Sequence, residues 1–194
     1  MGLLCYKKQR QIRFNRDISM NITTERLTLR RIDVEDWRKI KDIWDDQKRS
    51  AYARFDKPND TDPDAVRKRI EKWASYADSM EHLFFAVCLD ERLIGYVAFN
   101  QRDGGYETGY CFHSKYHEKG YAKESMIALI HAIHDIQPNA VITAGTAIEN
   151  IPSVKLLKSL GFRQIGIERV SFYKDSYGEP IWFDGGIFEF NVQD

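Results

Sequence analysis

The stretch His117-Glu118-Lys119-Gly120-Tyr121-Ala122 carries the clearest signal of fold and function in the chain. It follows a strand-like run at 106–113 and opens a helix-like run at 119–136, so it forms a turn between a strand and a helix. The first backbone N–H groups of a helix lack internal partners and lie at the positive end of its dipole. Because Gly120 lets the backbone approach an anion closely, the stretch predicts a phosphate-binding cradle.

Positive charge and small side chains around this turn favour the same interpretation. Lys115, Lys119 and Lys123 surround it, and Ala122 keeps the backbone accessible. An ordinary strand-to-helix turn is the alternative, because a single glycine in such a turn is a weak signal.

A second strand and helix repeat this plan further along the chain. The run at 141–148 is strand-like, and the polar stretch Asn150-Ile151-Pro152-Ser153 opens a helix that ends at Gly161, a residue type typical of helix ends. Two successive strand–helix units with polar residues at both helix starts indicate a ligand between them.

These motifs resemble those of the GNAT N-acetyltransferase superfamily. The cradle is similar to the family's acyl-CoA pyrophosphate loop, usually Gln/Arg-x-x-Gly-x-Gly/Ala, with His117 at the Gln/Arg position. The stretch 150–162 resembles the family's next motif. The opening Thr24-Glu25-Arg26-Leu27-Thr28-Leu29-Arg30 resembles the first strand of the branch that contains ribosomal-protein N-terminal acetyltransferases. The resemblance covers roughly residues 22–191 and implies an acetyl-CoA-dependent enzyme without a metal.

The predicted fold is a single α/β domain at 22–194, preceded by an N-terminal extension at 1–21. Hydrophobic periodicity and turn signals predict the element order β-α-α-β-β-β-α-β-α-β-β. The resemblance implies that these elements form a GNAT-like acyl-CoA N-acyltransferase fold. That fold is a mixed, mostly antiparallel seven-strand sheet with about four helices, splayed between the fourth and fifth predicted strands.

Composition excludes several other classes of protein. The chain has 194 residues with 43% hydrophobic and 13% aromatic residues, enough for one globular core. Its 29 basic and 29 acidic residues cancel, whereas a protein that binds nucleic acid normally has a basic excess. No apolar run approaches the ~18 residues that span a bilayer, so neither a membrane anchor nor a secretory signal is expected. The three cysteines lack metal-like spacing and fit the reducing cytoplasm. The protein is expected to be a monomer or a homodimer.

The resemblance also implies which residues bind acetyl-CoA. The backbone of Cys111, Phe112 and His113 would bind the pantetheine arm, and one of these N–H groups would face the thioester oxygen. The pyrophosphate would lie against the cradle, which consists of His117, Glu118, Lys119, Gly120, Tyr121, Ala122 and Lys123. Asn150 would hydrogen-bond the arm, and a helix N-cap is its alternative or additional role.

Acetyl transfer to an amine benefits from a group that takes the amine's proton and a group that protonates the leaving thiolate. Glu107 resembles the general base of several relatives, and a cross-strand ion pair is the equally weighted alternative. Ser153 matches a serine that serves as the acid in the ribosomal-protein branch, and a plain helix-surface residue is its alternative. We expect direct transfer in a ternary complex rather than a covalent intermediate on Cys111.

The acceptor is expected to be a primary amine, either a protein or peptide N-terminus or a small molecule. Relatives bind it between the loop after the first helix and the last two strands. In this chain those segments carry side chains suited to a cationic amine, namely Tyr52, Phe55, Trp182, Phe183, Asp56, Asp175 and Asp184. Each aromatic residue is explained equally well by a place in the core. A non-catalytic acyl-CoA sensor with the same fold is the alternative to an enzyme.

Overall fold

A computed structural model of the protein describes residues 21–190. The predicted N-terminal extension therefore lies almost wholly outside the described residues, and Cys5 lies there too. None of the helices in the described part is both long and apolar enough to cross a membrane.

Eight strands and four α-helices make up the described part of the chain. The strands are β1 Ile22–Thr23, β2 Thr28–Arg31, β3 His82–Leu89, β4 Arg92–Arg102, β5 Gly105–Phe112, β6 Ile142–Ala147, β7 Arg163–Lys174 and β8 Pro180–Phe190. The α-helices are α1 Trp37–Gln47, α2 Pro63–Ala74, α3 Tyr121–Ile136 and α4 Ile151–Ser159. All the predicted elements are present, with one strand more than the seven expected. That additional strand, β1, has two residues and is too short to produce a periodic pattern.

The strands form one sheet in the order β1-β2-β3-β4-β5-β6-β8-β7. Every neighbouring pair is antiparallel except β5 and β6, which are parallel. The predicted GNAT-like mixed, mostly antiparallel sheet is thus confirmed.

The parallel pairing of β5 with β6 is short. It consists of three residue pairs, from Tyr106 opposite Ile142 to Thr108 opposite Ala144. Beyond them β5 continues to Phe112 beside β4, and β6 continues beside β8. The two strands therefore diverge after Thr108, and the expected splay lies between them.

The helices cover both faces of the sheet. α3 and α4 contribute Met126, Leu129 and Leu157 to the core on one face, while α1 and α2 contribute Trp44 and Ile70 to the core on the other. Successive residues of a strand point to opposite faces. In β5 the side chains of Tyr106, Thr108, Tyr110 and Phe112 face α3, and those of Glu107 and Cys111 face α1 and α2.

A carboxylate in the first turn of α3 ties the beginning of the domain to the cradle. Glu124 accepts hydrogen bonds from Thr24 Oγ1 at 2.6 Å, from the Arg26 backbone N–H at 2.9 Å and from Arg26 Nε at 2.7 Å. Arg26 also donates to the Lys119 carbonyl at 2.9 Å, and its guanidinium lies 4.6 Å from the centre of the Tyr121 ring. The stretch that resembles a family signature therefore supports the cradle from outside.

This support predicts a pH-dependent contribution of Glu124 to stability. Burial alone would raise the pKa of Glu124, but hydrogen bonds from Thr24 and Arg26 and the Arg26 charge lower it overall. Its contribution is therefore present above the ordinary carboxyl pKa and is lost as pH falls through the lowered pKa. Because Arg26 is 41% exposed, we expect Glu124→Gln to lower the free energy of unfolding by roughly 1–2 kcal/mol at about pH 7.

Urea unfolding measures this difference, which should shrink as the pH falls below about 4. Glu25→Gln is the matched control, because it removes an exposed carboxylate beside Arg26 and should change little. Equal destabilisation by both substitutions, or a loss that does not vary with pH, would contradict this role of Glu124.

Candidate active site

Gly120 gives the cradle its shape. It is the N-cap of α3 with φ of 80°, a left-handed conformation that glycine adopts without strain. A Cβ atom at this position would lie 3.3 Å from Nη2 of Arg26, so the backbone is closely approached on that side. Within residues 21–190 no side chain caps α3, so its first N–H groups remain available for an anion.

Other cradle residues hold the loop in position. His117 Nε2 lies 2.8 Å from the Phe112 carbonyl oxygen, and Lys119 Nζ donates to the Lys115 carbonyl at 2.9 Å. Glu118 adopts φ of 60°, which is uncommon for a residue with a Cβ atom. Lys115 and Lys123 are exposed and add positive charge around the helix start.

Backbone directions along β5 show which groups face the cleft. The Tyr106 N–H donates to the Val141 carbonyl, toward β6, at 2.8 Å, and the His113 N–H donates to the Ile94 carbonyl of β4 at 3.1 Å. Backbone groups of alternate residues point to opposite edges of a strand. Even-numbered residues of β5 therefore point their backbone groups toward β6, and beyond Thr108, where the strands diverge, into the cleft.

This alternation changes the expected set of backbone donors for the pantetheine arm. Phe112 points its N–H and carbonyl into the cleft, whereas Cys111 and His113 point theirs toward β4. Tyr110 also faces the cleft, and the sequence-based prediction did not include it. The direction of the alternation depends on strand pairing, which the sequence pattern does not specify.

Tyr110 and Ser153 meet across the cleft. The Tyr110 hydroxyl lies 2.7 Å from Ser153 Oγ, and either atom can be the donor. Burial raises the pKa of Tyr110, Ser153 lowers it and Asp56 raises it, and the balance lies above the ordinary value. The phenol therefore keeps its proton at neutral pH and has one to donate.

Asn150 has the first of its two expected roles, that of a helix N-cap. Its Oδ1 accepts the Ser153 backbone N–H at 3.3 Å, so it caps α4. Its Nδ2 has no hydrogen-bond partner among the described residues and remains available for a ligand. The base role of Glu107, the acid role of Ser153 and the ligand role of Asn150 stay predictions.

Glu107 faces α1 and α2, on the side of the sheet opposite Tyr110. Its carboxylate lies 3.4 Å from Nε of Arg102, and the two side chains are 52% and 60% exposed. The ion pair that formed the alternative to a base role is therefore present.

Cys111 lies on the same face as Glu107 but is buried. Burial, reinforced by the charges of Asp56 and Asp46, raises the pKa of Cys111 to about 12. The protonated thiol is a poor nucleophile, which disfavours a covalent route through Cys111.

The candidate acceptor residues separate into different roles. Phe55 and Phe183 are buried and pack edge to face at 5.4 Å, so both belong to a small core that also includes Ala147. Tyr52 packs against this core, and Trp182 is 52% exposed.

The three candidate carboxylates also differ. Asp175 Oδ1 accepts backbone N–H groups at 2.8 and 2.9 Å within the β7–β8 turn, and Asp184 lies 3.8 Å from Arg169. Asp56 is the most enclosed of the three and accepts a hydrogen bond from Gln47 at 2.9 Å.

Comparison with known proteins agrees with this geometry. Residues 26–163 match the family described as an acetyltransferase (GNAT) domain. The chain is 32% identical over 152 residues to the uncharacterized N-acetyltransferase p20 of Bacillus licheniformis, a match that covers 75% of this chain and 84% of that protein.

Two solved structures have the same fold. The ribosomal-protein-S5-alanine acetyltransferase from Vibrio fischeri is 21% identical and superposes with a TM-score of 0.74 over 90% of this chain and 98% of that one. The microcin C7 self immunity acetyltransferase MccE, in complex with acetyl-CoA and AMP, is 16% identical with a TM-score of 0.72 over 87% of this chain and 94% of that one. Since the family match covers more than half of the sequence, the chain belongs to the GNAT family of N-acetyltransferases.

Proposed function

We propose that the protein transfers an acetyl group directly from acetyl-CoA to a primary amine, which is a protein or peptide N-terminus or a small molecule. The observation that carries this proposal is the divergence of β5 from β6 beside the open N-terminus of α3. An extended arm can pair with the free edge of β5 while its phosphates reach the cradle.

The residues present fit a phosphorylated cofactor. Gly120 leaves the backbone accessible, the first turn of α3 offers N–H groups, and Lys115 and Lys123 supply positive charge. The Nδ2 group of Asn150 is a further donor at the other side of the cleft. Acetyl-CoA would supply the thioester, and the N–H groups of Tyr110 and Phe112 would hold the arm.

We assign protonation of the leaving thiolate to Ser153. Its hydroxyl can donate to the sulfur and regain a proton from Tyr110 through their 2.7 Å hydrogen bond. This acid faces α3 and α4, whereas the candidate base Glu107 lies on the other face of the sheet, beside α1 and α2. Separate faces for proton removal and proton delivery suit direct transfer.

The proposed acceptor amine belongs either to a protein or peptide N-terminus or to a small molecule. The names of the two structural neighbours describe one enzyme for a ribosomal-protein alanine and one for self immunity to microcin C7, so the same fold occurs in acetyltransferases with different purposes. The cysteines Cys88 and Cys111 are free and buried, which suits the cytoplasm that we propose as its compartment.

A thiol-release assay tests the function. Acetyl-CoA is incubated with peptides that begin with alanine or serine and with small amines such as polyamines, and freed CoA is measured. An enzyme releases CoA with at least one acceptor, and mass spectrometry finds the acetylated amine. A sensor would bind CoA and release none above background with any acceptor.

The cradle makes a separate prediction for CoA affinity. Gly120→Glu places a bulky negative side chain beside the expected pyrophosphate and should weaken CoA binding, measured by isothermal titration, by at least about 100-fold. Gly104→Glu is the matched control, because Gly104 also has a positive φ, at 84°, but has open space around it in the β4–β5 turn. His117→Gln should bind CoA normally, since glutamine can still donate to the Phe112 carbonyl. Equal affinity in the two glutamate variants would mean that the phosphate lies elsewhere.

Glu107 enters the proposal as the base that the sequence predicts, with the Arg102 ion pair as its alternative. Glu107→Gln and Arg102→Gln both break that pair, but only the first removes the carboxylate. A base role predicts that Glu107→Gln alone slows turnover by roughly 10²–10⁴-fold and loses the acidic limb of the rate–pH profile. The exposure of the pair leads us to expect the other result, in which both variants keep their rate and lose less than about 1 kcal/mol of stability.

A further inference from the structure

Asp56 is an enclosed carboxylate in the loop between α1 and α2, directly after the short 3-10 helix Ala53–Phe55. Gln47 Nε2 donates to its Oδ2 at 2.9 Å. Its Oδ1 has no hydrogen-bond partner among the described residues. This oxygen is not fully buried, so it can accept a hydrogen bond from a ligand. None of the roles proposed above for the cradle, Ser153 or Glu107 uses this oxygen.

The packing of its loop places Asp56 at the mouth of the cleft. The neighbouring Phe55 ring packs on Phe183 of β8 and on Ala147, the last residue of β6. Tyr173 of β7 donates to the Ala53 carbonyl at 3.3 Å and holds the same segment. The loop is thereby fixed to the strands that border the cleft.

The influence of Asp56 on β5 supports this placement. Its charge contributes to the raised pKa of Cys111 and of Tyr110, which both lie beyond the point of divergence at Thr108. The charge of Asp56 therefore acts on the part of β5 where the thioester is expected.

A small cavity opens beside Asp56. It has a volume of about 20 Å³ and is lined by Asp56, Gln47 and the side chains of Trp44 and Tyr173, among others. This volume is close to what a single water molecule requires, and an ammonium group is similar in size. A carboxylate with two aromatic neighbours favours a cation over a neutral group.

We propose that Asp56 binds the ammonium group of the acceptor amine and takes its proton. The inference rests on the proposed function, since it names the residue that recognises and activates the acceptor. It assigns the work of the base to Asp56 and leaves Glu107 as the partner of Arg102.

The surroundings of Asp56 suit a base. Burial raises the pKa of Asp56, and the hydrogen bond from Gln47 lowers it by less, so the carboxylate is more basic than an exposed one. The charged groups nearby are Lys48 at the end of α1, Lys57 in the same loop and Arg69 of α2. Lys48 and Lys57 line the cavity together with Asn59. Lys48 Nζ donates to Thr61 at 2.6 Å and Arg69 donates to Asn59 at 2.8 Å, so both of these cations are bonded to groups other than Asp56.

The protons balance along this route. Asp56 takes one proton from the ammonium group, and the neutral nitrogen forms its bond to the acyl carbon as the carbon–sulfur bond breaks. The sulfur leaves with the electron pair and gains a proton from Ser153. The second proton, which the nitrogen loses as the amide forms, restores the Ser153–Tyr110 pair, and Asp56 gives its proton to solvent. One proton is released to solvent for each acetyl group transferred.

Asp56→Asn tests the inference because it keeps the shape of the side chain and an oxygen for Gln47 while it removes the charge. Asp60→Asn is the matched control, since Asp60 is an exposed residue of the same loop whose oxygen accepts the Asp62 N–H. With the best acceptor of the panel, Asp56→Asn should lower kcat/KM by roughly 10²–10⁴-fold and remove the acidic limb of its pH profile. Asp60→Asn should match the unmodified enzyme, and the KM for acetyl-CoA should stay unchanged in both.

A fold defect is separable from this result. Because burial raises the pKa of Asp56, its ionised form destabilises the folded state as pH rises through that pKa. Asp56→Asn should therefore melt no lower than the unmodified protein at about pH 7. An unchanged kcat/KM and pH profile in the variant would overturn the inference while acetyl transfer itself stands.

A second readout needs no turnover. In the full protein bound to CoA, the Gln47 side-chain amide should give an NMR signal that titrates above the ordinary carboxyl pKa and shifts when propylammonium chloride is added. Neither response should occur in Asp56→Asn. If the panel yields no acetylated product but the Gln47 signal responds to the amine, the amine site stands and the proposed function fails. A Gln47 signal that ignores the amine in the unmodified protein would refute the site.

Discussion

The pairing of β5 with β6 ends after three residue pairs, and the other features of the site depend on that limit. A continued ladder would satisfy the backbone groups of Tyr110 and Phe112 and leave no edge for a ligand. Backbone N–H and carbonyl groups that lie within a protein need partners. The divergence therefore creates a free strand edge, which in the proposed complex an extended molecule would complete on its way to the N-terminus of α3.

The two faces of β5 divide the chemistry between them. Strand alternation sends Tyr110 toward α4, where it meets Ser153, and sends Cys111 and Glu107 toward α1 and α2. In the proposed complex, groups on the two faces of β5 would therefore approach the thioester from opposite sides. An enzyme that removes a proton on one side and delivers a proton on the other needs this arrangement, and two-residue periodicity provides it.

Local signals in the sequence predicted the elements and the strand-to-helix turn at Gly120, whereas the divergence was implied by the family resemblance. Glycine and proline marked the turns, and hydrophobic spacing marked the helices, because both depend on neighbouring residues. The missed features join residues that are far apart in sequence. Glu124 meets Thr24 and Arg26, Tyr110 meets Ser153, and Asp56 is enclosed by packing onto β6 and β8. The sequence pattern shows that these residues are polar but does not show which of them meet.

The hydrogen bond from His117 to Phe112 has a consequence for ligand length. It occupies the last carbonyl that β5 turns toward the cleft. An extended molecule that adds to this edge can use the groups of Tyr110 and the Phe112 N–H, and then finds the next acceptor already taken. It must leave the strand there and turn toward Gly120. In the proposed complex the imidazole would thus end the pairing with β5 and set how many bonds separate the reactive end of a ligand from its first phosphate.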